Sequence, residues 1–103
     1  MPPVNIAMNT EFLIEQGNQY RAAREPEMAL QCYAQAFVAD PDSAGAFNNY
    51  GNVLRELGQP ARSIPFLQNA MLLDPSNITA RFNLAISYLL ICLLYTSPSP
   101  RDS

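Results

Sequence analysis

The side chains best suited to chemistry in this sequence are a recurring set of asparagines. Asn48, Asn49 and Asn52 fall within five residues of one another, and Asn18 and Asn83 lie 34 residues from two of them. A carboxamide both donates and accepts hydrogen bonds, so it can bind a peptide backbone without reading side chains. The alternative is that these residues only solvate a helix face.

Composition excludes most catalytic and cofactor chemistry. The 103 residues carry six arginines against nine acids, a net charge of −3, with no lysine and no histidine. A nucleic-acid partner is not expected, because phosphate contacts need clustered cations. Two cysteines, Cys32 and Cys92, are too few for a disulfide framework or a zinc site, and there is no phosphate-binding glycine loop. We therefore expect no cofactor, no metal and no catalytic residue.

The acidic pair Glu25 and Glu27 is better explained by structure than by catalysis. The two residues flank Pro26, and acids at a helix start favour the helix dipole. Similarly, residues 77–79 fit a glycosylation sequon that is common by chance and has no secretion signal to support it. Neither feature indicates an enzyme.

The amino-terminal end carries no targeting or membrane signal. Residues 1–9 have no basic region followed by an apolar core, and we predict a loose leader in which Met1 or Met8 is the start. The longest apolar run, residues 84–95, is short of the about 20 residues that a spanning helix needs. These observations predict a cytoplasmic protein with no membrane partner.

The carboxyl-terminal residues 92–103 look foreign to the rest of the chain. Residues 92–102 match, over eleven consecutive positions, one reading frame of the adapter used in transposase-based sequencing libraries. We interpret residues 92–103 as a translated adapter that forms a non-native disordered tail. We therefore expect the natural sequence to differ from the printed sequence after about Ile91. We also expect the chain to be an amino-terminal fragment of a longer protein.

The rest of the chain repeats with a period of 34 residues. The shift aligns Gly17 with Gly51, Ala36 with Ala70 and Pro41 with Pro75. Within each unit, apolar residues recur at steps of three and four, as on one face of a helix. Pro65 is a conflict, since it falls inside a predicted helix. The pattern predicts an all-α chain of helical hairpins, with helices near residues 10–23, 26–39, 44–57, 60–73 and 78–91.

The small residues of the repeat suggest how the hairpins pack. Gly17 and Gly51 fall inside helices, where glycine costs about 1 kcal/mol relative to alanine. That cost at one register predicts a close helix–helix approach there. Ala36 and Ala70 are expected to supply the matching flat surface on the second helix.

These residues carry a family resemblance. The first unit resembles the tetratricopeptide repeat at Leu13, Gly17, Tyr20, Ala29, Tyr33, Ala36 and Pro41, and the second at Phe47, Tyr50, Gly51, Ala70 and Pro75. The second departs from the family pattern at Leu54, Ser63 and Leu67. The resemblance predicts a tetratricopeptide domain over residues 10–91, with units 10–43, 44–77 and a partial 78–91.

The resemblance implies hairpins stacked in a right-handed superhelix whose first helices line a concave, peptide-binding groove. By position, the resemblance gives six candidate peptide-binding residues on those helices: Asn18, Asn48, Asn49, Asn52, Arg55 and Asn83. Asn49 and Asn83 resemble the asparagine ladder of O-linked N-acetylglucosamine transferases. The carboxylate clamp of chaperone cofactors is rejected, because its cationic positions correspond to Ile14, Thr79 and Asn83.

The expected function is therefore that of an interaction module that binds an extended peptide or a partner protein. The alternative is the amino-terminal extension of a larger bacterial enzyme, a glycosyltransferase whose catalytic domain is missing. A solenoid repeat buries its apolar face only against neighbours. The truncated third unit therefore predicts self-association through the carboxyl-terminal edge.

Overall fold

A computed structural model describes residues 6–95 of the chain, and side chains from residue 9 to residue 94. Within that range the secondary structure is helical, as predicted. The helices are α1 (Ile6–Ala22), α2 (Pro26–Ala39), α3 (Ala44–Glu56), α4 (Pro60–Leu73) and α5 (Ile78–Tyr95). Hairpins α1–α2 and α3–α4 stack on each other, and α5 packs on α4.

Local signals at the helix starts explain why the middle boundaries agree so well with the sequence. Pro26 and Pro60 occupy the first position of α2 and α4, where the missing N–H is not needed. The Ser43 hydroxyl accepts a hydrogen bond from the Ala46 amide at 3.2 Å. The Asn77 carboxamide caps α5 in the same way, accepting from the Ala80 amide at 3.0 Å.

Both outer helices are longer than predicted. The loose leader predicted for residues 1–9 is wrong for residues 6–9, which are helical, while residues 1–5 lie outside the described residues. At the other end, α5 runs to Tyr95 rather than stopping at Ile91. The disorder predicted from residue 92 is therefore wrong for residues 92–95, because no helix breaker occurs there before Pro98. Residues 96–103 lie outside the described residues.

Gly17 and Gly51 allow the close helix–helix approach predicted from the sequence, but the side chains that approach them are not the expected alanines. A Cβ added to Gly17 would lie 2.5 Å from Tyr33 Cε1, and one added to Gly51 would lie 2.7 Å from Leu67 Cγ. Each glycine is thus a notch for a bulky side chain. The expected pairing of the glycines with Ala36 and Ala70 is wrong, since a large side chain fills the space that the missing Cβ leaves.

An aromatic cluster joins α2, α3 and α4. Phe37 stacks on Phe47 with ring centroids 4.5 Å apart. Phe66 inserts beside both Tyr50, at 4.5 Å, and Phe37, at 5.9 Å. Aromatic contacts of this kind add to the free energy gained from burial alone. The cluster fixes α4 against α2 and α3.

Helix α4 continues through Pro65 and is tied to α5 by a buried polar contact. Pro65 is exposed, and it leaves the Ala61 carbonyl without the amide donor of a regular helix. Ser63 donates to the Pro60 carbonyl at 2.6 Å, and the Ser63 and Ser87 hydroxyl oxygens lie 2.7 Å apart. Since the one Ser63 proton goes to Pro60, Ser87 is the donor in the second bond.

The helices are also too short or too polar for a bilayer. In the described part of the chain, no helix combines the length and the apolar character needed to cross one.

Candidate functional site

The candidate site is built on the first helix of each unit, because α1, α3 and α5 contact one another in succession. On α3, the spacing of four and then three residues places Asn48, Asn52 and Arg55 on one face. We call these three residues the polar face of α3. Asn18 on α1 and Asn83 on α5 lie on the neighbouring first helices.

The structure brings Asn48 and Asn83 together in the interior. Asn83 donates from Nδ2 to Asn48 Oδ1 at 3.1 Å, and Asn83 and Asn48 are only 4% and 7% exposed. The bond joins α5 to α3, so these two carboxamides do not stand open in the groove as expected. Burial accounts for the pairing, because a buried carboxamide needs an internal partner. A direct role for this pair in peptide binding stays a prediction.

Asn18 is exposed but already has a protein partner. The Tyr33 hydroxyl donates to Asn18 Oδ1 at 2.5 Å, linking α2 to the face of α1. Tyr33 itself is fully buried. Burial raises the pKa of Tyr33, against a smaller opposing effect of the nearby Arg21 charge. The phenol is therefore held in its neutral, donating form, and it occupies the oxygen of the Asn18 carboxamide.

An ion pair spans α1 and α3 beside the polar face. Arg21 donates from Nε and Nη2 to the two carboxylate oxygens of Glu56, at 3.1 and 2.5 Å. This two-point contact raises the pKa of Arg21, so the guanidinium stays charged. Both side chains are partly exposed, and their charges cancel locally.

Arg55 is the cation that remains available in this region. Its Nη2 donates to Asn52 Oδ1 one turn earlier on α3. Its Nε is buried and, within the described residues, has no hydrogen-bond partner. A buried donor without an acceptor is costly, and a ligand can supply the acceptor only if the Arg55 side chain turns to expose Nε. Asn49, half-buried, is the neighbouring carboxamide on α3.

Sequence reasoning missed the three residues that organise the site: Arg21, Tyr33 and Glu56. A signal for two of them was present. The Asn48–Asn83 and Arg21–Glu56 contacts both join residues 35 apart, one more than the repeat period. Complementary side chains at the period plus one therefore mark contacts between successive first helices. Tyr33 is one of the residues that carry the family resemblance, but the partner of its hydroxyl has no signal in the sequence.

Open cavities adjoin these elements. One of about 440 Å³ is lined by Asn18, Arg21, Ala22 and Glu56, beside the ion pair. Another of about 270 Å³ lies at the start of α4, and its lining includes Ile91 and Leu94. None of the candidate residues lines the second cavity, so it is not part of the candidate site. Among the described residues, no cluster of acidic or cysteine side chains is arranged to hold a metal.

The chain is similar to a curated protein in sequence and to a solved structure in fold. Over 78 residues the chain is 33% identical to a Hordeum vulgare protein named "Probable UDP-N-acetylglucosamine--peptide N-acetylglucosaminyltransferase SPINDLY". That match covers 76% of this chain and 8% of the barley protein, so the chain spans less than a tenth of its length. No family model matches the chain.

The second similarity is structural. The fold matches a solved structure described as "First TPR of Spaghetti (RPAP3) bound to HSP90 peptide SRMEEVD", with a TM-score of 0.80 and 21% sequence identity. The match covers 82% of this chain and 67% of that one. At this identity the likeness shows the fold.

Proposed function

Because the chain is a tetratricopeptide-repeat protein, built from stacked helical hairpins with a 34-residue period, we propose that it is an interaction module. It binds an extended peptide, or an extended segment of a partner protein, across the first helices. The module itself is not an enzyme and uses no cofactor. The structural neighbour holds a peptide, which supports this class of ligand.

The single observation that carries the proposal is the Arg55 guanidinium, which forms no ion pair within the described residues. A guanidinium that Asn52 holds in place and that keeps its charge unneutralised suits a peptide carbonyl or carboxylate. Asn18, Asn49 and Asn52 supply carboxamides around it, which contact peptide N–H and C=O groups. The Asn48–Asn83 pair contributes by fixing the spacing between α3 and α5.

The proposed ligand differs from that of a carboxylate clamp. Ile14, Thr79 and Asn83 stand where the clamp has cations, so a terminal carboxylate gains no cluster of positive charge here. Arg21 adds none either, because Glu56 neutralises it. The module should therefore accept internal peptide segments as readily as chain ends.

The test is selection of a peptide and a matched pair of arginine variants. A random dodecapeptide library is panned on the full chain, and an enriched peptide is then measured by calorimetry. Arg55→Gln should weaken binding by about tenfold or more, as expected for a lost charged hydrogen bond.

Arg62→Gln is the matched control for this experiment. Arg62 also donates to a carboxamide three residues earlier, that of Gln59, but lies exposed on the second helix α4. It should leave affinity unchanged. Equal losses for both variants would mean that general charge, not the polar face, attracts the peptide, and would refute the proposed site.

A second candidate function concerns the parent protein. The identity to the barley glycosyltransferase favours a chain whose repeats precede a catalytic domain. We propose, on the adapter match, that residues 10–91 are native and that residues 92–103 are not. A cytoplasmic bacterial source stays a separate prediction from the sequence. Sequencing the genomic locus past the codon for Ile91 tests this. A nucleotide-sugar-binding domain downstream supports it, and further repeats before a stop codon refute the enzyme.

A further inference from the structure

On α3, one face packs against α4. The equivalent face of α5 is exposed. At one repeat register, Leu54 on α3 is 1% exposed, whereas Tyr88 on α5 is 46% exposed. Likewise Gly51 is buried under Leu67, whereas its counterpart Ala85 is exposed. We call the surface around Leu84, Ala85 and Tyr88 the α5 edge. It is distinct from the polar face of α3.

A cavity lies along this edge, and the repeat shows what fills its counterpart. The cavity measures about 500 Å³ and is lined by Gln68, Met71, Leu72, Pro75 and Leu84. Shifted back by one period, Met71 and Leu84 become Phe37 and Tyr50. Phe66 of α4 packs against both of those rings. The equivalent space at the α5 edge therefore has the position, and the apolar walls, of an aromatic-binding site.

We propose that the α5 edge binds an amphipathic α-helix of a partner, which inserts an aromatic side chain into this cavity. The edge continues the interface by which α3 holds α4, so the bound helix should lie as α4 does. The aromatic residue takes the register of Phe66. This site is independent of the groove assigned above, and either can fail without the other.

The register also determines the residue that comes directly after the aromatic one in the partner helix. The corresponding residue of α4, Leu67, fits against α3 only because Gly51 has no Cβ; a Cβ there would lie 2.7 Å from the leucine. The α5 edge has Ala85 at that position. A leucine there would meet the alanine methyl group, so the partner helix carries a small residue directly after its aromatic anchor. The recognised pattern is aromatic then small, with an apolar stripe at helical spacing.

A peptide copied from α4 provides the probe. It spans Gln59–Asp74 with Pro65→Ala, which favours the helix, and Leu67→Ala, which suits Ala85. Titrated into the full-length chain and followed by NMR, it should bind one-to-one and shift amide signals of α5 and of the end of α4. Adding Phe66→Ala to the peptide should weaken binding at least tenfold, as expected for losing a buried aromatic anchor.

Variants of the chain then test the site, with circular dichroism confirming that each is folded. Ala85→Arg should abolish binding, whereas Ala39→Arg, at an exposed alanine on α2, should not. Ala85→Gly recreates the notch of Gly51 and should reverse the preference, so that the peptide retaining Leu67 binds more tightly than its alanine version. That reversal is a result that general stickiness of an apolar edge cannot produce.

Three results would overturn the proposal. The first is equal affinity for the peptides with and without Phe66. The second is a set of shifted signals confined to α1 and α3. The third is a stable dimer of the chain that the peptide does not displace, which would make a second copy the occupant. Weak self-association that the peptide suppresses agrees with the proposal, since the same apolar edge is then being covered.

Discussion

The buried serine pair between α4 and α5 predicts a strong, sign-specific coupling in stability. Ser63 and Ser87 are both fully buried. Ser63→Ala removes the only acceptor seen for the Ser87 proton within the described residues, and an orphaned buried hydroxyl costs about 1–3 kcal/mol. Ser87→Ala should cost less, about 0.5–1.5 kcal/mol, because Ser63 keeps its bond to the Pro60 carbonyl.

The double variant separates this account from simple helix propensity. Replacing both serines leaves no unpaired hydroxyl, so we expect a total loss smaller than the sum of the single losses by about 1 kcal/mol or more. Alanine favours a helix at both sites, and that gain cancels in the cycle. Urea unfolding monitored by circular dichroism gives the three free energies. Additivity within about 0.5 kcal/mol, or a stabilising Ser63→Ala, would refute the reasoning.

Single residues give three further predictions. Arg24 has a φ of 64°, and its repeat counterpart Gly58 has a φ of 81°. Arg24→Gly should therefore raise the free energy of unfolding by about 1 kcal/mol, and Gly58→Ala should lower it. Urea melts in which the two variants change this free energy in the same direction would contradict the prediction. Gly51→Ala should destabilise by about 1–3 kcal/mol, because the new methyl group meets Leu67 and the Ser63 carbonyl, and an unchanged melting temperature would contradict the notch. The raised pKa of Tyr33 means that its contribution to stability is complete below the ordinary tyrosine pKa of about 10 and is lost as the pH rises through the higher folded value. Melts between about pH 9 and 12 should show this alkaline loss, and Tyr33→Phe should reduce it; an identical profile for the variant would contradict the assignment.

Much of the fold could be predicted because its signals are local. Pro26, Ser43 and Pro60 mark helix starts within their own sequence neighbourhoods, and the structure begins three helices beside them. The outer ends were harder to predict. Pro2 and Pro3 favour a loose leader although Asn5, a residue type common at helix starts, precedes Ile6, and no helix breaker stops α5 at Ile91.

The site was predictable only in its residue types. Arg55 and the carboxamides of α3 can be placed by helical spacing, which needs no tertiary knowledge. The burial of Asn48 and Asn83 depends instead on how far α5 slides along α3, which a single repeat does not encode. The same is true of Gly51, whose partner was expected to be Ala70 but is Leu67. The choice between them is made by the rotation of α4 about its axis.

The central claim, that an extended peptide binds across the polar face through Arg55, is tested most directly by the Arg55 Nε–H signal. In a nitrogen-15 NMR spectrum of the full chain, titration with a library-selected peptide should shift this signal, because the ligand changes the surroundings of the guanidinium. The Arg62 Nε–H signal, on the second helix α4, should stay in place. A peptide that saturates the chain while the Arg55 signal stays unchanged would contradict the account.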